Sequence, residues 1–98
     1  MDGMPPARIE VDHVDGDTFR VKVGDGGGST THVVRVAPAY SRQLVGSAVP
    51  REDLVRRSFE FLLEREPKEA ILRSFDLSVI ASYFPEYEAE IARRIGAG

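Results

Sequence analysis

Apolar residues alternate with polar ones through the first third of the chain and then shift to helical spacing. In Arg8-Ile9-Glu10-Val11-Asp12-His13-Val14, Ile9 and Val11 alternate with charged residues, the period of a half-buried strand. Thr18-Phe19-Arg20-Val21-Lys22-Val23 repeats the pattern, with Phe19, Val21 and Val23 on one face and Arg20 and Lys22 on the other. Asp15-Gly16 lies between the two runs, and such a pair accepts the positive φ angles of a tight hairpin turn. A third run, Thr31-His32-Val33-Val34-Arg35-Val36, is rich in β-branched residues. Gly24-Asp25-Gly26-Gly27-Gly28-Ser29-Thr30 is expected as a flexible connection leading into it. Connections this short favour an antiparallel meander.

Beyond residue 37 the apolar positions fall three and four apart. Pro38 suits the first position of a short helix that carries Tyr40 and Leu44 on one face and closes at Gly46. The main helix is predicted from about Pro50 to about Glu66, with Glu52 and Asp53 favourable in its first turn and Pro67 as its stop. Leu54, Val55, Ser58, Phe59, Leu62 and Leu63 form its apolar face. Lys68 to Ser74 is expected as one or two further helical turns. Asp76 is the expected N-cap for a helix over Leu77 to Phe84, and Pro85 to about Ile95 forms the last helix. The fold class is therefore α+β: a three-stranded antiparallel β-meander over residues 8–37, then three to four helices over 38–95. Residues 1–98 make one domain, with 1–7 expected to be disordered.

The block Ser58-Phe59-Glu60-Phe61-Leu62-Leu63-Glu64-Arg65-Glu66-Pro67 is followed by Ile71-Leu72-Arg73-Ser74-Phe75-Asp76-Leu77-Ser78-Val79-Ile80 and then Tyr83-Phe84-Pro85-Glu86-Tyr87. Together, over residues 50 to 91, these blocks resemble a family of small uncharacterised bacterial proteins. The resemblance implies a bacterial, cytoplasmic setting and carries over no activity, ligand or site residue.

Composition narrows the function classes. With no cysteine, disulfides and thiolate metal sites are excluded. No signal peptide is seen at Met1-Asp2-Gly3-Met4-Pro5-Pro6, and no run approaches the length of a membrane span. The formal net charge is −3 with acidic and basic residues mixed throughout, whereas nucleic-acid binders usually carry a basic excess.

Candidate chemistry is sparse. Asp12-His13-Val14-Asp15-Gly16-Asp17 lacks the ligand spacing of a calcium loop and reads as a polar turn. His13 and His32 fall on predicted strands and are expected to be solvated; no nucleophile elbow accompanies them. The glycine-rich segment lacks the lysine and the strand-to-helix context of a phosphate loop. No catalytic residue, metal or cofactor is expected, and the chain is not expected to be an enzyme.

Two features point to partners instead. Phe59 and Phe61 are two residues apart on the main helix, so one helix face cannot hold both. Either the helix is sandwiched between two layers, or part of its apolar surface meets a partner. Phe59, Phe61, Phe84 and Tyr87 are the candidate interface residues of a non-catalytic interaction or regulatory accessory module, acting with a protein partner or as a homo-oligomer. The alternative is a nucleic-acid-associated regulator in which Arg56, Arg57, Arg93 and Arg94 contact phosphates, although acidic residues flank both pairs at helical spacing.

Overall fold

The computed structural model describes residues 8–97, and the expected disorder of residues 1–7 lies outside them. Strands β1 (Arg8–Asp15), β2 (Thr18–Asp25) and β3 (Gly28–Arg35) form the antiparallel meander. Gly16, at φ 47°, provides the left-handed turn residue between β1 and β2, and the register slips there between His13 and Asp15. The glycine-rich segment is mostly strand rather than flexible linker. Asp25 pairs with Gly28, which leaves two residues to turn the chain and extends both strands into the glycines.

The meander has one apolar and one polar face. Val11 lies opposite Val21, Ile9 opposite Val23 and Phe19 opposite Val34, all on the face that the helices cover. On the solvent face Glu10 pairs across to Lys22 and Asp12 to Arg20, so opposite charges meet along the strands.

Helix α1 (Pro38–Val45) begins at its proline and ends at Gly46, as its spacing predicts. Helix α2 (Arg51–Leu63) carries Glu52 and Asp53 in its first turn and is shorter than expected, giving way to a turn before Pro67. Of the one or two helical turns expected over Lys68 to Ser74, a single 3₁₀ turn (Lys68–Ala70) forms, and the chain then runs into a short fourth strand, β4 (Ser74–Asp76). This strand pairs in parallel with β3, Val34 opposite Phe75, and the sheet order is β1-β2-β3-β4. The Val33 N–H donates to the Arg73 carbonyl and the Leu77 N–H to the Arg35 carbonyl. Parallel pairing requires a crossover, which α1 and α2 supply.

Pairing also removes Asp76 from the N-cap position. Helix α3 (Val79–Tyr83) starts after Ser78 without a side-chain cap, and α4 (Tyr87–Ala97) starts two residues past Pro85.

The puzzle of α2 resolves as a sandwich. Phe59 turns to the sheet side, its ring 5.3 Å from that of His32 and 6.1 Å from that of Phe75. Phe61 turns to the helical side, edge-on to Tyr87 at 5.3 Å and to Phe84 at 5.9 Å. Both phenylalanines are fully buried within one chain. A helix between two layers needs more than one apolar stripe, which accounts for its broad face.

Candidate functional site

Of the four aromatic residues expected at or beneath a partner surface, three belong to the core. Phe59, Phe61 and Tyr87 have no exposed area in this chain. The Tyr87 hydroxyl donates to Ser58 Oγ (2.6 Å), which donates in turn to the Leu54 carbonyl (2.7 Å). Burial of the phenol pushes its pKa upward. Phe84 is half-buried and keeps one side open.

That open side belongs to an apolar groove. Helix α3 forms one wall through Val79, Ile80, Tyr83 and Phe84, and the segment before β4 forms the other through Ile71 and Leu72. Phe75 of β4 and Leu62 of α2 contribute apolar surface, and Glu66 is the one charged residue that lines the groove. Leu72 and Tyr83 are 46% and 64% exposed. Single exposed apolar residues are ordinary on a protein surface, but these two flank a concavity that is itself apolar. Its volume of about 170 Å³ is below the roughly 300–1,000 Å³ of small-molecule pockets and suits a partner's side chain or two.

His32 braces this region from beneath. It is fully buried, not solvated as its polarity suggests. Its Nδ1–H donates to the Leu72 carbonyl (2.8 Å), so the neutral ring's Nε2 accepts from Thr30 Oγ1 (2.8 Å). Loss of solvent lowers its pKa; the Leu72 hydrogen bond acts in the opposite sense, and the charge of Arg73 lowers it further. The alternation of β3 carried the signal, because His32 shares its parity with buried Val34 and Val36. His13 does not meet it. That ring stacks on Phe19 at 4.6 Å, its Nε2–H donates to the Gly16 carbonyl (2.6 Å), and the residue stays exposed at the end of the sheet.

Comparison with protein-family models, with curated proteins and with solved structures found no match for this chain.

The four arginines are not gathered into a free cationic patch. Arg56 donates to the Ile9 carbonyl of β1, and Arg57 pairs with Glu60 at 3.2 Å. Arg93 pairs with Glu90, while Arg94 bridges Glu90 (2.8 Å) and Glu64 (2.7 Å). Hydrogen bonds from Arg93 and Arg94 pull Glu90 down to about 2, and Arg94 holds Glu64 below the usual carboxylate range. A broad depression does bring Arg56, Arg57 and Arg94 together, but Asp53 and Glu60 line it with them. A phosphate there would meet carboxylates as well as guanidinium groups.

Among the described residues no group of three or more His, Asp or Glu could hold a metal ion, and no helix is long and apolar enough to cross a membrane.

Proposed function

We propose that this protein is a non-catalytic interaction module that receives apolar side chains of a protein partner in the groove between α3 and the Leu72 segment. The observation that carries this reading is the pairing of Leu72 and Tyr83, both exposed, across an apolar concavity too small for a drug-sized ligand. Phe84 is the candidate interface residue that keeps this role, while Phe59, Phe61 and Tyr87 hold the walls in place from the core. The non-catalytic part of the reading is supported by the two histidines. Both His32 ring nitrogens are engaged in structural hydrogen bonds, and His13 is bonded to the Gly16 carbonyl and stacked on Phe19. A second copy of the chain is another protein that such a surface could meet, and sedimentation velocity reads that directly.

The test compares the wild-type protein with a Leu72→Ser, Tyr83→Ser double variant in affinity capture, with and without nuclease. The expected result is a protein retained by the wild type through nuclease treatment and lost with the variant, at unchanged melting temperature. Equal capture by both forms would remove the groove from the function. Capture of nucleic acid alone, abolished by salt and by Arg56→Ala with Arg57→Ala, would install the nucleic-acid reading in its place.

A further inference from the structure

The groove does not stand alone: it runs beside an open sheet edge. Strand β4 is the last strand of the sheet, paired on one side only. The hydrogen bonds through Arg73 and Leu77 show that the odd-numbered residues of this segment face β3. By the alternation of an extended chain, the N–H and C=O groups of Ser74 and Asp76 then face away from it. Both residues are exposed, and among the described residues neither makes a backbone hydrogen bond beyond the β3 pairing. Phe75, between them, contributes its side chain to the groove.

Glu66 is the one ionisable group with a side-chain charge among the groove-lining residues, and no ion pair engages its carboxylate among the described residues. Several carboxylates of the helical layer are paired, Glu60 with Arg57, Glu64 and Glu90 with Arg94, and Glu86 with Arg65, whereas Glu66 is the unpaired one that lines the groove. An unpaired carboxylate beside apolar surface favours a ligand that brings a cation with its apolar groups.

Building on the groove as a docking site, we infer that its occupant is an extended peptide segment of a partner protein. That segment adds as a strand to the free edge of β4, places an apolar side chain in the groove and sets a lysine or arginine against Glu66. Main-chain hydrogen bonds to Ser74 and Asp76 supply sequence-independent affinity, and the groove and Glu66 select the side chains. A three-residue edge and a shallow groove make a small contact area, the class of weak and reversible encounters.

The experiment titrates the ¹⁵N-labelled full chain with three synthetic peptides and follows amide shifts and exchange. The first alternates Val or Leu with Thr or Lys. The second has the same side chains with alternate backbone amides N-methylated, so that it cannot form a ladder. The third is a helical Leu/Lys peptide. The inference expects the first peptide to shift groove resonances and to slow exchange at the Ser74 and Asp76 amides, with N-methylation weakening binding at least tenfold. Glu66→Lys should weaken the first peptide roughly three- to tenfold, and replacing its lysines with glutamates should restore binding to that variant. Equal binding of the methylated peptide, or preferential binding of the helical one, would overturn strand addition while leaving the groove as the docking site. Groove resonances unmoved by all three would overturn both.

Discussion

Replacing Phe61 with alanine separates core from interface more sharply than any other single change. The ring is fully buried, lies edge-on to Tyr87 and Phe84, and is capped by the Arg65 guanidinium 3.6 Å from its centroid. Truncation of a buried phenylalanine costs about 3–5 kcal/mol, from lost transfer energy and the cavity left behind. The aromatic pairs, worth about 0.5–1.5 kcal/mol each in other proteins, place the expected value in the upper part of that range. A domain of this length has a total stability of about 5–15 kcal/mol, so this one change removes a large share. At about 4–8 °C per kcal/mol, the melting temperature should drop by more than about 12 °C. Urea unfolding followed by circular dichroism gives the free energy, and sedimentation velocity reports the oligomeric state. Phe61→Leu, which keeps an apolar side chain but loses both ring contacts, should cost clearly less than Phe61→Ala. A Phe61→Ala protein that melts within a degree or two of wild type but sediments differently would refute the core assignment and return Phe61 to a partner surface.

Acid titration should reveal two steps. His32 has a lowered pKa in the folded state, so the unfolded chain takes its proton first; stability should fall as pH drops below about 6.5 and level off once the folded form is protonated too. His32→Gln should abolish that step in pH-dependent urea midpoints, and its persistence would exclude His32 as the origin. Glu64 and Glu90 act lower. Their depressed values mean that their contribution is complete above the ordinary carboxylate range and is lost as pH falls from there through their folded-state values, about 2 for Glu90. Because these pairs remain open to solvent in part, Arg94→Gln should destabilise only modestly, and less at high salt. Ser58→Ala should cost about 1–3 kcal/mol by stranding the buried Tyr87 hydroxyl, and adding Tyr87→Phe should recover part of the loss; strict additivity of the two changes would mean that the hydroxyls do not interact.

The elements legible in the sequence are those whose causes are local. Alternation at Phe19, Val21 and Val23, a glycine at the turn, prolines at helix starts and acidic residues in a first turn all act within a few residues. Strand β4 could not be seen this way. Ser74-Phe75-Asp76 is too short to show a period, and it is extended because the edge of β3 offers hydrogen bonds from some forty residues earlier. The same pairing takes Asp76 away from the cap that its residue type suggests. The spacing of Phe59 and Phe61 posed the choice between sandwich and interface but could not decide it, since that depends on what lies on each side of α2. The groove was invisible for the same reason, as its walls come from segments that meet only after β4 docks. His32 is a different case. Its position in the alternation marked it as buried, and its polarity obscured that mark.

The long separation between β3 and β4 also bears on the order of folding. The meander closes through two tight turns and can form early, whereas β4 must wait for the intervening helices to bring it back. Contacts made by β4 then belong to the last part of the folding reaction, so substitutions at Phe75 or Leu77 should accelerate unfolding and leave the folding rate nearly unchanged. The open edge of β4 comes into being only when the chain is otherwise complete, and an immature or partly opened molecule lacks it.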